Sequence, residues 1–240
     1  QAGVGLVQHT AAYPRRAATA GLLHCRRKRG RDHQWYRLAA LASDRSEDTN
    51  TQVWVRGRAA LALAYEAAEL PTAEDLARQA LALSDKPTLG RLNALVGLAH
   101  VAGVRGDAHL AIDTFEQAQR VFDVAGSGEQ VSDFAVPEWR FHTFASMLFS
   151  RLGDPRAVTE QEMADRTRPT TLPRFATHIE MHRGLMLAKS GDVETGVTYA
   201  KEALARLPPE RHSLSLRLML AEVERAANGP GDSQVGLPRR

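Results

Sequence analysis

The feature that most constrains this chain is a helical pair that recurs around a glycine–aspartate turn. Leu95, Leu98, Ala99 and Ala102 fall at the i, i+3, i+4, i+7 spacing of one helix face. Gly106-Asp107 follows, and Asp107 suits an N-cap because its carboxylate can accept from the free amides of a first helical turn. The next stretch places Ala111, Ile112, Phe115, Ala118 and Val121 on one face. The plan returns around Gly191-Asp192, with Gly184 and Leu187 before it and Gly196, Val197, Ala200, Ala203 and Leu204 after it. Pro208 and Pro209 end that copy, since proline lacks the N–H and clashes inside a helix. A third copy carries Phe141, Ala145, Leu148 and Phe149 before Gly153-Asp154-Pro155. A fourth has Leu61, Ala62 and Tyr65, a turn expected at Leu70-Pro71-Thr72, then Ala73, Leu76, Ala77, Ala80 and Leu81.

These copies span residues 53–83, 91–122, 139–167 and 178–207. Residues 1–50 read as a degenerate first pair, with helices expected at 19–28 and 32–43 on either side of Gly30. Residues 212–227, with Leu214, Leu218, Ala221 and Val223, form a last helix with no partner after it, which suits a cap over the end of a stack. The Gly- and Pro-containing stretch 228–240 reads as a disordered tail. The linkers are short and polar, so the expectation is all-α, with one continuous domain over 1–227 made of about five helix–turn–helix pairs plus the cap.

Composition narrows the function. The net charge of +3 is small for 240 residues, and phosphate binding needs a clustered basic face. The densest basic run, residues 25–31, has no interleaved aromatics and reads as a solvated helix end. The single cysteine, Cys25, excludes an internal disulfide and a cysteine-based zinc site. No apolar run approaches the roughly 20 residues needed to span a bilayer, and no secretory signal is read. No membrane role and a cytoplasmic location are expected. A chain starting at Gln1 rather than Met reads as a fragment or processed product.

The residues quoted above resemble the tetratricopeptide repeat, a helix–turn–helix of about 34 residues. Leu95, Leu98, Ala99, Ala102, Ala111, Phe115 and Ala118 match that pattern, as do Gly184, Leu187, Ala203 and Pro208 in the later copy. The resemblance implies a right-handed α-solenoid whose concave groove is lined by the first helix of each pair. Carried over copy by copy, it nominates Arg56 and Glu66; Asn93, Val96 and His100; Arg140, Thr143, Met147 and Arg151; and His178, Met181 and Lys189. Arginines in such a lining can fork onto a carboxylate, such as a peptide C-terminus.

The layout is also similar to the C-terminal repeat regions of bacterial helix-turn-helix transcriptional regulators. The segments carrying this are Leu22-Leu23 through Arg37-Leu38-Ala39-Ala40-Leu41-Ala42-Ser43-Asp44-Arg45, Val136-Pro137-Glu138-Trp139-Arg140 and Leu207-Pro208-Pro209-Glu210-Arg211. That similarity implies a non-catalytic regulatory domain sensing a peptide, protein or small molecule in the groove, or pairing as a homodimer. DNA would be reached only through an N-terminal domain absent here. The alternative is a constitutive protein–protein adaptor.

No catalytic or cofactor signature competes. His178 and His182 share a helix face at metal-ligand spacing, but Ile179 stands where the zincin motif needs glutamate, and no third ligand is evident. Gly3-Val4-Gly5 lacks the third glycine and the preceding strand of a phosphate loop. His24 and Cys25 are helix neighbours pointing about 100° apart, so they do not form a nucleophile and base. The expectation is no enzyme, no cofactor and no metal.

Overall fold

The computed structural model describes residues 32–126 and 135–227. The expected helix at 19–28, the basic run at 25–31 and the tail at 228–240 lie outside the described residues. Among the described residues every regular element is helical: α1 (Asp32–Asp44), α2 (Thr49–Tyr65), α3 (Leu70–Leu83), α4 (Leu89–Arg105), α5 (Ala108–Ala125), α6 (Glu138–Leu152), α7 (Arg156–Thr167), α8 (Pro173–Lys189), α9 (Val193–Ala205), a 3-10 turn (Pro209–Arg211) and α10 (Leu214–Ala227). No described helix is long and apolar enough to cross a membrane.

The Gly-Asp turns share one hydrogen-bond plan. Gly106, Gly153 and Gly191 take φ of +83°, +67° and +99°, the left-handed conformation that costs glycine nothing. In each, the following aspartate amide donates five residues back: Asp107 to Ala102 O at 3.0 Å, Asp154 to Phe149 O at 2.9 Å and Asp192 to Leu187 O at 3.0 Å. These bonds satisfy carbonyls that a helix end leaves orphaned. Asp107 then accepts from the Leu110 amide at 3.0 Å, and Asp154 from the Arg156 amide at 2.9 Å.

The turn between α2 and α3 follows the same plan without glycine. Ala68 N donates to Leu63 O at 2.9 Å, and Ala67 occupies the glycine place at φ +51°. The expected turn at Leu70-Pro71-Thr72 therefore moves upstream to residues 66–69. Leu70 and Pro71 open α3 instead, because proline fits a first helical turn, where its missing N–H leaves no bond unmade.

Packing places α2, α4, α6, α8 and α10 in one row, each touching the next, while α3, α5, α7 and α9 each pack on the helix before them. Two apolar clusters hold the rows. The first joins α1 to α4 and is rich in alanine, with Ala59, Ala60, Ala64, Ala73, Ala77, Ala80 and Ala94. Within it α2 and α4 meet backbone to backbone. A Cβ on Gly90 would lie 2.6 Å from Trp54 N, a Cβ on Gly97 would lie 2.9 Å from Leu61 N, and Gly57 abuts the Gly90 carbonyl. The second cluster runs from α2 to α10 and is filled by large side chains, including Phe115, Phe141, Phe144, Phe149, Met147 and Met181. Stacking of Phe141 on Phe122 at 4.4 Å and Phe115 at 5.1 Å closes its outer side.

Candidate functional site

The nominated groove residues are mostly not wet. Asn93, Val96 and His100 are wholly buried, and Thr143, Met147, Arg151, His178 and Met181 are buried as well. The expected open lining is thereby corrected for these eight. Phe144 and Tyr65 fill the space between the helices, and α10 lies against α8 and α9 and brings Glu222 to Arg151. The other four scatter. Glu66 is the half-buried C-cap of α2. Arg140 lies 4.9 Å from the Trp139 ring and donates to Ala135 O at 2.7 Å. Lys189 is exposed at the end of α8. Arg56 faces α1 and α3, donating to Asp44 at 2.6 Å and Gln79 at 3.0 Å, at the base of a cavity of about 530 Å³ also lined by Arg37, Asp75 and Leu41.

What the fold does bring together is a buried polar cluster at the meeting of α2, α4, α6, α8 and α10. Arg151 is its hub. Its guanidinium forks onto Glu222, with Nε to Oε1 at 2.7 Å and Nη2 to Oε2 at 3.0 Å. It also donates to Tyr65 O at 2.7 Å and Ala64 O at 3.2 Å, carbonyls of the last turn of α2. A further bond from Nη1 reaches His100 Nδ1 at 2.9 Å. Arginine can only donate, so His100 Nδ1 is the acceptor and its proton sits on Nε2.

A second chain of contacts crosses from α6 to α2 through α8. Ser146 Oγ lies 2.8 Å from His182 Nδ1, His182 Nε2 lies 3.1 Å from Tyr65 Oη, and Tyr65 Oη lies 3.4 Å from His178 Nδ1. Each group here can donate or accept, so the chain can run with its protons in either direction. Burial pushes the Tyr65 phenol far above its ordinary range, and Glu66 and Glu222 add to that against the opposing pull of Arg151. Burial holds His178 down to about 3, with the Arg174 charge contributing. His182 is held well below the usual imidazole value by burial and then by His178, Arg151, His100 and Arg183. His100 is lowered by burial and Arg151, partly opposed by the nearby Phe144 carbonyl. All three imidazoles are therefore neutral at pH 7. Several polar atoms in this region make no hydrogen bond with protein: both amide atoms of Asn93, His100 Nε2 and His178 Nε2.

Sequence reasoning nominated His100, Arg151 and His178 for the groove and left out Tyr65, Ser146, His182 and Glu222, although it had weighed His182 as a metal ligand beside His178. A signal existed for two of them. Glu222 is an acid one turn from Leu218 on an otherwise apolar stretch, and a buried arginine needs such a counter-ion. His182 shares a helix face with His178. Ser146 beside His182 has the reach of a nucleophile and its base, but both are wholly buried, so a substrate has no path to Oγ in this structure. Among the described residues no group of three or more His, Cys, Asp or Glu could hold a metal ion.

No protein-family model, curated protein or solved structure matches the chain.

Proposed function

We propose that this chain is a non-catalytic regulatory repeat domain of tetratricopeptide type, sensing a peptide, protein or small-molecule ligand. Its setting is the C-terminal part of a bacterial, cytoplasmic helix-turn-helix transcriptional regulator. DNA contact in that setting belongs to a separate N-terminal domain. The pairing of α2 with α3, α4 with α5, α6 with α7 and α8 with α9, with the first helices in one row, supports a solenoid reading, and α10 serves as its cap.

The observation that carries the regulatory reading is the reach of Arg151. One side chain on α6 bonds the end of α2, His100 on α4 and Glu222 on α10. The angles between successive pairs are therefore coupled through a single buried cation. A constitutive scaffold has no need of that arrangement, because apolar packing of equal volume serves stability as well or better. A ligand that binds one set of inter-pair angles more tightly than another shifts the population between them, and the coupling transmits the shift along the row.

The test has two arms. Sequencing the gene upstream of the codon for Gln1 should find a helix-turn-helix domain in the same reading frame, and its absence removes the regulator assignment. Spin labels at the exposed positions Ala82 and Lys201, in a Cys25→Ser background, should report a changed distance when the molecule that co-purifies with the protein is added back. An unchanged distance with confirmed binding would leave an adaptor with no switch.

A further inference from the structure

Three histidines surround one tyrosine in the core. The rings of His100, His178 and His182 lie 5.5, 6.1 and 6.1 Å from that of Tyr65. They come from α4 and α8, and the tyrosine from α2. The charged groups facing them are Arg151 from α6, Glu66 from α2, Glu222 from α10, and Arg174 and Arg183 from α8 itself. The balance is unfavourable to another cation. Glu222 is held in the fork with Arg151, and Arg183 already draws on Asp165 and Glu180. A proton arriving on any of the three imidazoles thus meets Arg151, and the remaining carboxylate facing the cluster, Glu66, is only half-buried at the C-cap of α2.

We infer that this junction is a proton-operated latch: protonation of His100, His178 and His182 releases α8, α9 and α10 from α2 through α6 while the alanine-rich end of the chain stays folded. The cluster lies where α8 and α10 meet the rest of the molecule. It includes the contacts of His178 and His182 with Tyr65, that of His182 with Ser146, and the Arg151–Glu222 fork. α2 and α3 carry no histidine, and the one on α4, His100, belongs to the junction itself, so acid has no comparable point of attack on the α2–α3 pair. Because the folded protein holds these imidazoles below their ordinary value of about 6.5, the latch is at full strength above that pH. It weakens as pH falls through that value, and for His178 the loss continues down to about pH 3.

Hydrogen–deuterium exchange on the full chain between pH 7 and pH 5 tests this, after correction for the pH dependence of intrinsic exchange. That window lies above the ordinary carboxylate range of about 4, so glutamate protonation does not intrude. Opening that takes up two to three protons makes the α8–α10 amides about 100- to 1000-fold less protected per pH unit once below pH 6, while α2 and α3 amides hold. In a His178→Gln/His182→Gln variant the dependence falls to about tenfold per unit or less. Loss of protection in α2 and α3 together with α8–α10, flat protection throughout, or wild-type steepness in the double variant each overturns the latch. Should that variant not fold, NMR titration of the wild-type imidazoles decides. Resonances that stay neutral in the closed state and protonate only with opening support the latch, and independent titration in the closed state refutes it. The latch does not depend on the sensor reading: failure of the spin-label experiment leaves it intact, and its own failure leaves the regulator assignment intact.

Discussion

The seam between α2 and α4 and the junction of α4, α6 and α8 are both buried, yet they are built on opposite principles. In the first, Gly57, Gly90 and Gly97 let two backbones touch, and alanines fill what little space remains. In the second, the helices stand further apart. The gap is filled by Tyr65, Phe144, Met147 and Met181 and by a hydrogen-bonded set of ionisable groups. The first seam has no volume to spare and no charge to lose. The second tolerates changes of shape but depends on every partner being present. A glycine-lined contact fixes one geometry, because close-packed backbone cannot slide. A polar contact between separated helices has alternatives, because its bonds can be exchanged for others.

Breaking the polar side of this comparison should give the largest effect. Arg151→Met strands Glu222 and leaves the Tyr65 carbonyl without its donor, while that of Ala64 keeps the Ala67 amide at 3.0 Å. A loss of about 3–5 kcal/mol in urea unfolding is expected. Adding Glu222→Leu should recover part of it but not all, because the Tyr65 carbonyl remains unpaired. Full recovery would show that it finds another donor.

On the glycine side, Gly90→Val drives a branched side chain into the Trp54 backbone. About 3 kcal/mol of destabilisation is expected, at the upper end of ordinary overpacking because backbone must move. A loss below 1 kcal/mol would mean that the seam is softer than its contacts indicate.

The turns allow a finer test. Ala67→Gly relieves the one left-handed alanine in a plan that elsewhere uses glycine. A gain of about 1 kcal/mol, read from thermal or urea midpoints, is expected.

The smallest effect belongs to His142, a histidine whose situation inverts that of the buried three. Its hydrogen bond to Glu160 at 2.6 Å raises its pKa, with burial opposing. The stabilisation from this pair is fully present below the ordinary imidazole value and is lost as pH rises through the raised one. Glu160→Gln should bring the His142 resonance back towards the ordinary value and cost about 0.5 kcal/mol at pH 6. A cost of 2 kcal/mol or more would make α6–α7 a polar junction of the second kind.

The helical character of the chain was legible because it is written locally. Glycine followed by aspartate after an i, i+3, i+4 stripe leaves few alternatives, and Gly106, Gly153 and Gly191 all turn the chain in the same way. The α2–α3 turn misled because Pro71 announces a boundary without saying on which side of it the bend lies. The site was legible only in part. The repeat resemblance, applied copy by copy, assigned Asn93, His100, Thr143, Arg151 and His178 to inward positions. It carried no information about what covers them. That is decided by Tyr65, Phe144 and Glu222, which arrive from other helices, and a repeat pattern read one copy at a time does not contain those encounters. Arg56 failed for a related reason: its neighbours are α1 and α3, whose polar residues Asp44 and Gln79 draw it to the other side of α2.

The separation of Arg151 from Glu222, 71 positions along the chain, has a consequence for synthesis. Gly57, Gly90 and Gly97 have all left the ribosome long before Glu222 is made, so the alanine-rich end can settle early. Arg151 must wait for its counter-ion until almost the last helical turn emerges. Nascent chains stalled before residue 222 should therefore carry a finished front and an unsealed rear, and that rear is the part a chaperone would be expected to hold.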